Sequence, residues 1–449
     1  AIIVAFVPYA CFHLLFQETV TTRYALPLVP AVAYLAVRGL FALRVVGGPA
    51  VAALLALLFA FTTVPVTATY SRVGGPVARA LADIRSEATR EPGVAVGMHH
   101  RFVRSVEAYG VGPAVALAAP PKHEWLEVVK QWQAGERGPV WFLADPRRTD
   151  LALVDPQAQM LRGEFDWPFP SEVYLGGIRP NGLRWLVINE PGWFAGEGWH
   201  LTPETAGVAR ADGMGLGRGP IRAWIRSRGG AATMMIGGRH LGSGSGPAAL
   251  VTVRIDGREI EQWTVAASAP SFLRFIPLPA GALACGAPWC VLEVRAAVSG
   301  GAATGIVAID QFNLQDPDSP MLGFGEGWQE PEYEPARGIS WRWASEKAVL
   351  RTSTTDRDVE LQIVGESPRR YFDRPSRVVG TAGGTQLWNI DAGSDFAWSF
   401  RVPAAALRSS GGVITIETDQ FFRPADRGKG ADKRALGLRV YLVKLRPAS

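Results

Sequence analysis

The residues best placed for chemistry are Arg23 and Tyr24, at a polar turn between two apolar runs. The turn spans residues 17–23 and carries one carboxylate, Glu18. An arginine at the start of a membrane helix lies near the lipid headgroups, where its guanidinium can pair with a phosphate. Arg and Tyr also anchor helix ends at the interface without any ligand. Glu18 is a candidate contact for an acceptor or a metal, or else a solvated loop carboxylate.

Three apolar runs surround this turn, Ile2 to Phe16, Ala25 to Leu43 and Pro49 to Thr69. We expect each to cross a bilayer, so that residues 1–72 form three transmembrane helices. The chain opens inside an apolar run, with neither a basic n-region nor a cleavage site, which favours a piece of a longer protein. Arg38 and Arg44 favour a cytoplasmic second loop. The turn, and all residues after the third run, then face outward.

The two cysteines of the outer region, Cys285 and Cys290, enclose a four-residue loop. In an oxidising compartment a disulfide between them is plausible. Two unpaired thiols in a turn are the alternative. Two such residues make a poor zinc site, and no other set of residues in the sequence predicts a metal centre.

Residues 73–190 alternate between helix and strand. Pro76 suits the first position of a helix, and apolar strands are expected at 93–98, 114–118 and 140–143. This alternation predicts a small α/β domain with a parallel sheet. The segment after the first strand, 98–101, lacks the glycines of a phosphate-binding loop. We therefore expect a structural or docking domain rather than one that binds a nucleotide.

Residues 191–316 and 317–449 predict two tandem β-sandwiches of jelly-roll type, because short alternating strands are separated by glycine-rich turns. Asp256-Gly257 is a strong signal for a two-residue hairpin. The sequence Gly-Glu-Gly-Trp opens both regions, ending at Trp199 and at Trp328. These tryptophans are candidate carbohydrate contacts. The alternative, favoured by the high average burial of tryptophan, is that each packs in a core.

The charges of the chain argue against nucleic acid as a partner. The net charge is +5, and the basic residues are interleaved with acidic ones rather than clustered in a patch.

The junction 23–30, Arg-Tyr-Ala-Leu-Pro-Leu-Val-Pro, resembles the late transmembrane region of bacterial polyprenyl-phosphate-sugar glycosyltransferases of the GT-C superfamily. That group includes protein mannosyltransferases and aminoarabinose transferases. The two Gly-Trp openings, the strand Trp341-Arg342-Trp343 and the segment 426–438 are similar to the outer C-terminal extensions of some members.

This resemblance implies the C-terminal part of an integral-membrane enzyme of the bacterial inner membrane, with its outer domains in the periplasm. Arg23 and Tyr24 would bind the phosphate of a polyprenyl-phosphate sugar donor. The acceptor would be a glycan, lipid or protein of the cell envelope. The general base, and most ligands of any divalent metal, would lie upstream of Ala1. No catalytic residue is assigned within this span, so the chain's own enzymatic activity stays open.

A second hypothesis treats the chain as a non-catalytic, membrane-tethered protein that binds glycans or serves as a scaffold. In that case the two sandwiches carry the whole function. The sequence identifies neither the sugar nor the oligomeric state.

Overall fold

The structure is a computed structural model that describes most of residues 76–449 and parts of the apolar N-terminal region. The described residues are 6–8, 11, 28–42, 48–90, 95–98, 114–115, 132, 134, 140–144, 153–166, 183–196, 221–242, 244–298, 306–334, 339–353, 356–428 and 430–448.

Two apolar helices, α1 (Val29–Ala42) and α2 (Gly48–Val73), account for most of the described residues among 1–75 and lie against each other. Helix α2 has 26 residues and exposes large apolar side chains along its length, such as Leu57 and Phe61. It is about 39 Å long, more than the roughly 30 Å of a bilayer's hydrocarbon core. Among the described residues, it is the helix whose length and composition suit a membrane crossing.

Of the three expected membrane-spanning helices, one, α2, has the length and composition of a crossing among the described residues, and the other two stay predictions. Helix α1 has 14 residues, or about 21 Å, which is shorter than the hydrocarbon core. Most of the first apolar run lies outside the described residues.

The α/β region contains α3 (Pro76–Arg90) and one five-stranded sheet of order β2-β1-β3-β5-β4. Strand β1 pairs in parallel with β2 and β3, whereas β5 is antiparallel to β3 and β4. The sheet is therefore mixed, and the prediction that all of its strands are parallel is wrong. The strands are Ala95–Met98, Ala114–Val115, Val140–Ala144, Gln159–Phe165 and Leu183–Ile188.

Helix α3 packs on β4 and β5 with its apolar face, where Leu81 and Ile84 are completely buried. The core of this region continues into the first sandwich without a break. The indole nitrogen of Trp289 donates to the carbonyl of Trp132 over 2.8 Å. Buried Asp155 accepts from the main-chain nitrogen of Gly192 over 3.1 Å. These contacts join the α/β region and the first sandwich into one packed body.

The first sandwich packs a sheet of order β10-β9-β12-β7-β6 on a sheet of order β11-β8-β13. Alternating burial along the strands, as in β7 and β9, directs every second side chain into the shared core. Its strands are Trp193–Ala195, Ile221–Arg226, Ala232–His240, Ala249–Ile255, Arg258–Val265, Ser271–Leu278, Trp289–Val298 and Val307–Gln315, numbered β6 to β13.

The second sandwich packs a sheet of order β14-β17-β22-β19-β20 on one of order β15-β16-β23-β18-β21. A short helix, α4 (Ala404–Ser409), covers part of its core. Its strands are Leu322–Phe324, Glu332–Glu334, Ile339–Ala344, Lys347–Thr352, Val359–Glu366, Ser376–Ala382, Thr385–Ala392, Asp395–Val402, Val413–Thr418 and Leu438–Pro447, numbered β14 to β23.

The two sandwiches share one topology. Strands β6 to β13 correspond in chain order to β14 and β17 to β23, and the strand orders of both sheets match under this correspondence. Strands β15 and β16 are an insertion in the second sandwich. Gly196 and Gly325 begin the two Gly-Glu-Gly-Trp segments, and each donates its amide over 2.8 Å to a strand carbonyl, of Arg222 and of Val349. The repeat in the sequence therefore reflects a repeated fold.

Local features also recur at equivalent positions. The hairpin between β9 and β10 turns at Asp256-Gly257, and the one between β19 and β20 turns at Gly383-Gly384. All four residues have positive φ, from 46° to 80°, as a type I′ turn requires. The prediction of a hairpin at Asp256-Gly257 is confirmed.

Each sandwich has a β-bulge in its last strand. In β13 the extra residue is Asp310, opposite Gly238 of β8, and in β23 it is Tyr441, opposite Gly365 of β18. A Cβ on either glycine would overlap a carbonyl oxygen of the bulged strand. Glycine is therefore required where the bulge brings the two backbones together.

The outer face of the sheet β11-β8-β13 is covered by the second sandwich. Leu273 and Met235 pack on Met321, in a small buried cluster. The side-chain amide of Gln311 pairs with the backbone of Phe324, donating over 2.8 Å and accepting over 2.7 Å. The two sandwiches are thus packed against each other rather than joined by a free linker.

Candidate functional site

Four of the sequence-predicted site residues lie outside the described residues. They are Glu18, Arg23, Tyr24 and Trp199. Their proposed roles at a donor phosphate, an acceptor or a carbohydrate therefore stay predictions.

Trp328 is a core residue. Its ring is 4% exposed, lies edge-on to Phe324 with centroids 5.0 Å apart, and donates its indole N–H to the carbonyl of Val349 over 3.0 Å. A sugar needs an accessible aromatic face, and this ring offers none. The prediction of a carbohydrate contact at Trp328 is therefore wrong, and the alternative of a core position describes it.

Cys285 and Cys290 form a disulfide, with their Cα atoms 5.6 Å apart. Asp256 lies close to both sulfur atoms. Together with the two cysteines it forms the one group of three candidate metal ligands among the described residues. Its carboxylate accepts from the amide of Val291 over 2.8 Å. Sulfur atoms joined in a disulfide are not thiolates, and so this group is not a metal site.

A groove of about 520 Å³ runs along the seam between the two sandwiches. Strands β10 and β11 form the wall on the first sandwich, and the start of the Gly-Glu-Gly-Trp segment, with β17 and β22, forms the wall on the second. The lining residues are Trp263, Thr264, Val265, Ala266, Ala269, Ser271, Phe272, Leu273, Arg274, Gly325, Glu326, Val349, Arg351 and Val413.

Aromatic side chains and an arginine shape the wall on the first sandwich. Half-buried Phe272 lies 5.5 Å from the ring of Trp263, tilted by 60°. The guanidinium of Arg274 lies over the Trp263 ring, 5.8 Å from its centre. Trp263 itself is 6% exposed and belongs to the core. Phe272 is thus the aromatic ring that the groove offers to a ligand.

Three charged side chains of the groove are exposed: Arg274, Glu326 and Arg351. Within the part of the chain that the structure describes, none of them forms an ion pair or a side-chain hydrogen bond. Elsewhere on the sandwiches, surface arginines are commonly paired with carboxylates. Examples are Arg222 with Glu293 at 3.1 Å and Arg401 with Asp358 at 2.8 Å.

The corresponding edge of the second sandwich carries aromatic rings that pack on one another. There, Trp388 of β20 and Phe400 of β21 are stacked with centroids 4.1 Å apart and planes 8° from parallel. Trp398 packs beside them on β21. These rings fill the space between the two edge strands. Of the two equivalent edges, the one in the first sandwich forms the groove.

An aromatic cluster on the outer face of the second sandwich is occupied by its own residues. Arg439 lies 3.7 Å from the centre of the Trp341 ring and pairs with Glu366 at 3.1 Å. The Trp341 indole donates to Glu332 over 3.1 Å. Trp341 is covered by a paired cation, so this cluster is a less suitable ligand site than the groove.

A further cleft, of about 620 Å³, lies at another end of the second sandwich. Its lining includes Asp318, Asp356, Arg357 and Arg408, but no aromatic side chain. Asp356 and Arg408 face each other at 3.6 Å. The cleft therefore lacks the combination of a ring and unpaired charges that marks the seam groove.

No family model and no curated protein matches the chain. Solved structures with some likeness include the M60 catalytic domain with the CBM51-1 and CBM51-2 domains of Clostridium perfringens ZmpB. It has 9% identity and a TM-score of 0.17, over 58% of this chain and 35% of that one. The chain thus spans about a third of that structure.

Two other structures have similarly low scores. The CBM22-1-CBM22-2 tandem domain of Paenibacillus barcinonensis Xyn10C has 8% identity and a TM-score of 0.18, covering 67% of this chain and 96% of that one. Bacteroides ovatus SGBP-B, in complex with a mixed-linkage heptasaccharide, has 8% identity and a TM-score of 0.13. The match covers 44% of this chain and 89% of that one.

The sequence did not single out the groove. Its residues come from β10, β11, β17, β22 and two connecting segments, spread over some 150 positions from Trp263 to Val413. The one available signal is that Phe272 and Arg274 lie two apart in an alternating strand and therefore share a face.

Proposed function

We propose that the two sandwiches form a glycan-binding unit, with the seam groove as its binding site and apolar helix α2 as its membrane attachment. The observation that carries this proposal is the groove itself, in which an accessible aromatic ring lies among three unpaired charged side chains.

The groove has the chemistry that binds sugars. The face of Phe272 can pack against the C–H bonds of a pyranose ring, as aromatic rings do with apolar ligand surfaces. Glu326 can accept hydrogen bonds from sugar hydroxyls, and Arg274 and Arg351 can donate to ring or hydroxyl oxygens. At about 520 Å³, the groove lies within the usual size range of small-ligand sites.

The test is calorimetric titration of the full chain, in detergent micelles, with neutral and acidic oligosaccharides of four to six sugars. We expect binding in the micromolar to millimolar range and a loss of about tenfold or more for Phe272→Ala, because an aromatic contact is worth about 1 kcal/mol or more beyond its area.

Phe421→Ala is the matched control. Phe421 is another partly exposed phenylalanine, and it lies outside the groove. Its removal should leave glycan affinity unchanged. The proposal fails if no oligosaccharide binds, or if both variants weaken binding equally.

The second candidate function is the sugar transferase implied by the junction at Arg23. The structural observation that favours it is α2, whose large apolar side chains are exposed over its whole length, as in a helix surrounded by lipid. In that case the groove would hold the acceptor glycan. Loss of sugar transfer on Arg23→Ala in the intact membrane protein would support this role, and unchanged transfer would remove Arg23 from the site.

A further inference from the structure

We infer that the seam groove selects an acidic glycan, whose anionic group is held between Arg274 of the first sandwich and Arg351 of the second. This inference rests on the proposed function and adds the class of ligand. It assigns the selectivity to two residues that belong to different sandwiches.

The packing of the seam brings the two arginines to the same groove. Leu273, next to Arg274 in β11, packs against Gly323 of β14. Gly323 is paired across the sheet with Arg351 of β17. This packing places strands β11 and β17 on opposite walls of the groove, and Arg274 of the first strand and Arg351 of the second both line it.

The charges of the groove favour an anion. Two guanidinium groups and one carboxylate, Glu326, leave an excess of one positive charge, and none of the three is neutralised by a partner within the described residues. An arginine binds a carboxylate, sulfate or phosphate through two parallel N–H···O bonds. A ligand with such a group would supply the missing partner for both guanidinium groups.

The remaining groups suit a sugar rather than a free anion. Phe272 provides an apolar surface beside Arg274. Glu326, on the second wall, can accept hydrogen bonds from the hydroxyl groups of a sugar. A simple anion would use the arginines alone. The occupant that satisfies the ring, the carboxylate and both arginines together is a sugar bearing a negative charge.

The two sandwiches must keep their arrangement for this site to exist. Asp310 of the first sandwich lies 3.2 Å from Arg239 of the same sandwich and 3.4 Å from Arg342 of the second sandwich. Arg239 also lies 3.2 Å from Glu330 of the second. This network, buried at Asp310, holds the two walls of the groove in register.

The experiment titrates the full chain in detergent micelles with three matched oligosaccharides: a galacturonate hexamer, its methyl ester and a sulfated neutral hexamer. We expect the acidic hexamer to bind about tenfold or more tightly than its neutral ester, as hydrogen bonds to charged groups are worth about 1.5–3 kcal/mol. The preference should shrink as salt rises from 50 to 500 mM, by screening. This salt series needs no variant. Binding of the sulfated hexamer tells whether the anionic group can be a sulfate as well as a carboxylate.

Arg274→Gln and Arg351→Gln should each remove most of the preference for the acidic hexamer while leaving affinity for the ester within about twofold. Arg446→Gln, at an exposed position of β23 outside the groove, should leave both affinities unchanged. Equal binding of acid and ester, or an acid preference that survives both groove substitutions, would overturn the inference and leave glycan binding in place. Absence of binding by all three oligosaccharides would instead overturn the proposed function.

Discussion

Arg342 of the second sandwich contacts Asp310 of the first, with Nη1 and Oδ2 3.4 Å apart and the Asp310 side chain 4% exposed. Asp310 is the extra residue of the β13 bulge, so the bulge directs a carboxylate out of the sheet toward the neighbouring domain. Burial lowers the pKa of Arg342, and the nearby charge of Asp310 opposes this change. The guanidinium also lies 4.8 Å from the ring centre of Phe324.

Asp310→Ala should destabilise the chain strongly, because Arg239 and Arg342 would remain at the seam without their shared carboxylate. Removal of one partner of a buried ion pair costs about 3–5 kcal/mol. Chemical unfolding followed by tryptophan fluorescence measures the change. Glu417→Ala is the control, because Glu417 forms an exposed pair with Lys347 at 2.9 Å and should cost less than about 1 kcal/mol. Equal costs would show that the seam does not depend on Asp310.

Gly238→Ala and Gly365→Ala should each destabilise the chain, by about 1–3 kcal/mol, because the new methyl group would overlap a carbonyl oxygen of the bulged strand. The two positions are equivalent in the two sandwiches, so their costs should be similar. Gly229→Ala is the control, since the space around its Cβ is open. Thermal unfolding of the three variants provides the comparison, and a tolerated Gly238→Ala would contradict the role assigned to the bulge.

Acid should weaken the contact between Asp432 and Arg434. A side-chain hydrogen bond from Arg434 holds the pKa of Asp432 below its usual value, and the two groups lie 2.7 Å apart. The stabilisation is therefore complete above the ordinary pKa of aspartate, about 3.9, and is lost as the pH falls through the lower folded value.

Asp432→Asn should cost about 1 kcal/mol or less at pH 7, since the pair is partly exposed, and less than that at pH 2. Melting temperatures between pH 7 and pH 2 measure this difference. In an Arg434→Gln background, Asp432→Asn should have little effect at either pH. A cost that stays the same at pH 2 would assign the contribution of Asp432 to packing rather than charge.

Reduction of the Cys285–Cys290 disulfide should destabilise the first sandwich by about 2 kcal/mol, the chain-entropy value for so short a loop. Cys285→Ser with Cys290→Ser should reproduce the effect of the reductant. Cys11→Ser should have none, because Cys11 is an exposed free cysteine. Mass spectrometry of the non-reduced protein gives an independent readout, and free thiols at both positions would contradict the disulfide.

The sequence alone was sufficient for features encoded over a few neighbouring residues. Asp256-Gly257 marked its hairpin because a type I′ turn needs residues that tolerate positive φ. Alternation of apolar and polar residues predicted strands such as Val251 to Ile255, and the repeated Gly-Glu-Gly-Trp indicated two related sandwiches. The Arg23-Tyr24 junction likewise predicts a phosphate contact, which stays a prediction.

The tertiary structure decided what depends on residues far apart in the chain. The short alternation of helix and strand did not show that β5 would join its sheet antiparallel, because strand direction follows from which neighbours a strand finds. The tertiary structure also placed Trp328 in the core, since the burial of a ring depends on the strands that cover it. It also brought Phe272 and Arg274 of one sandwich to Arg351 of the other, an arrangement set by the packing of the seam around Asp310 and Arg342.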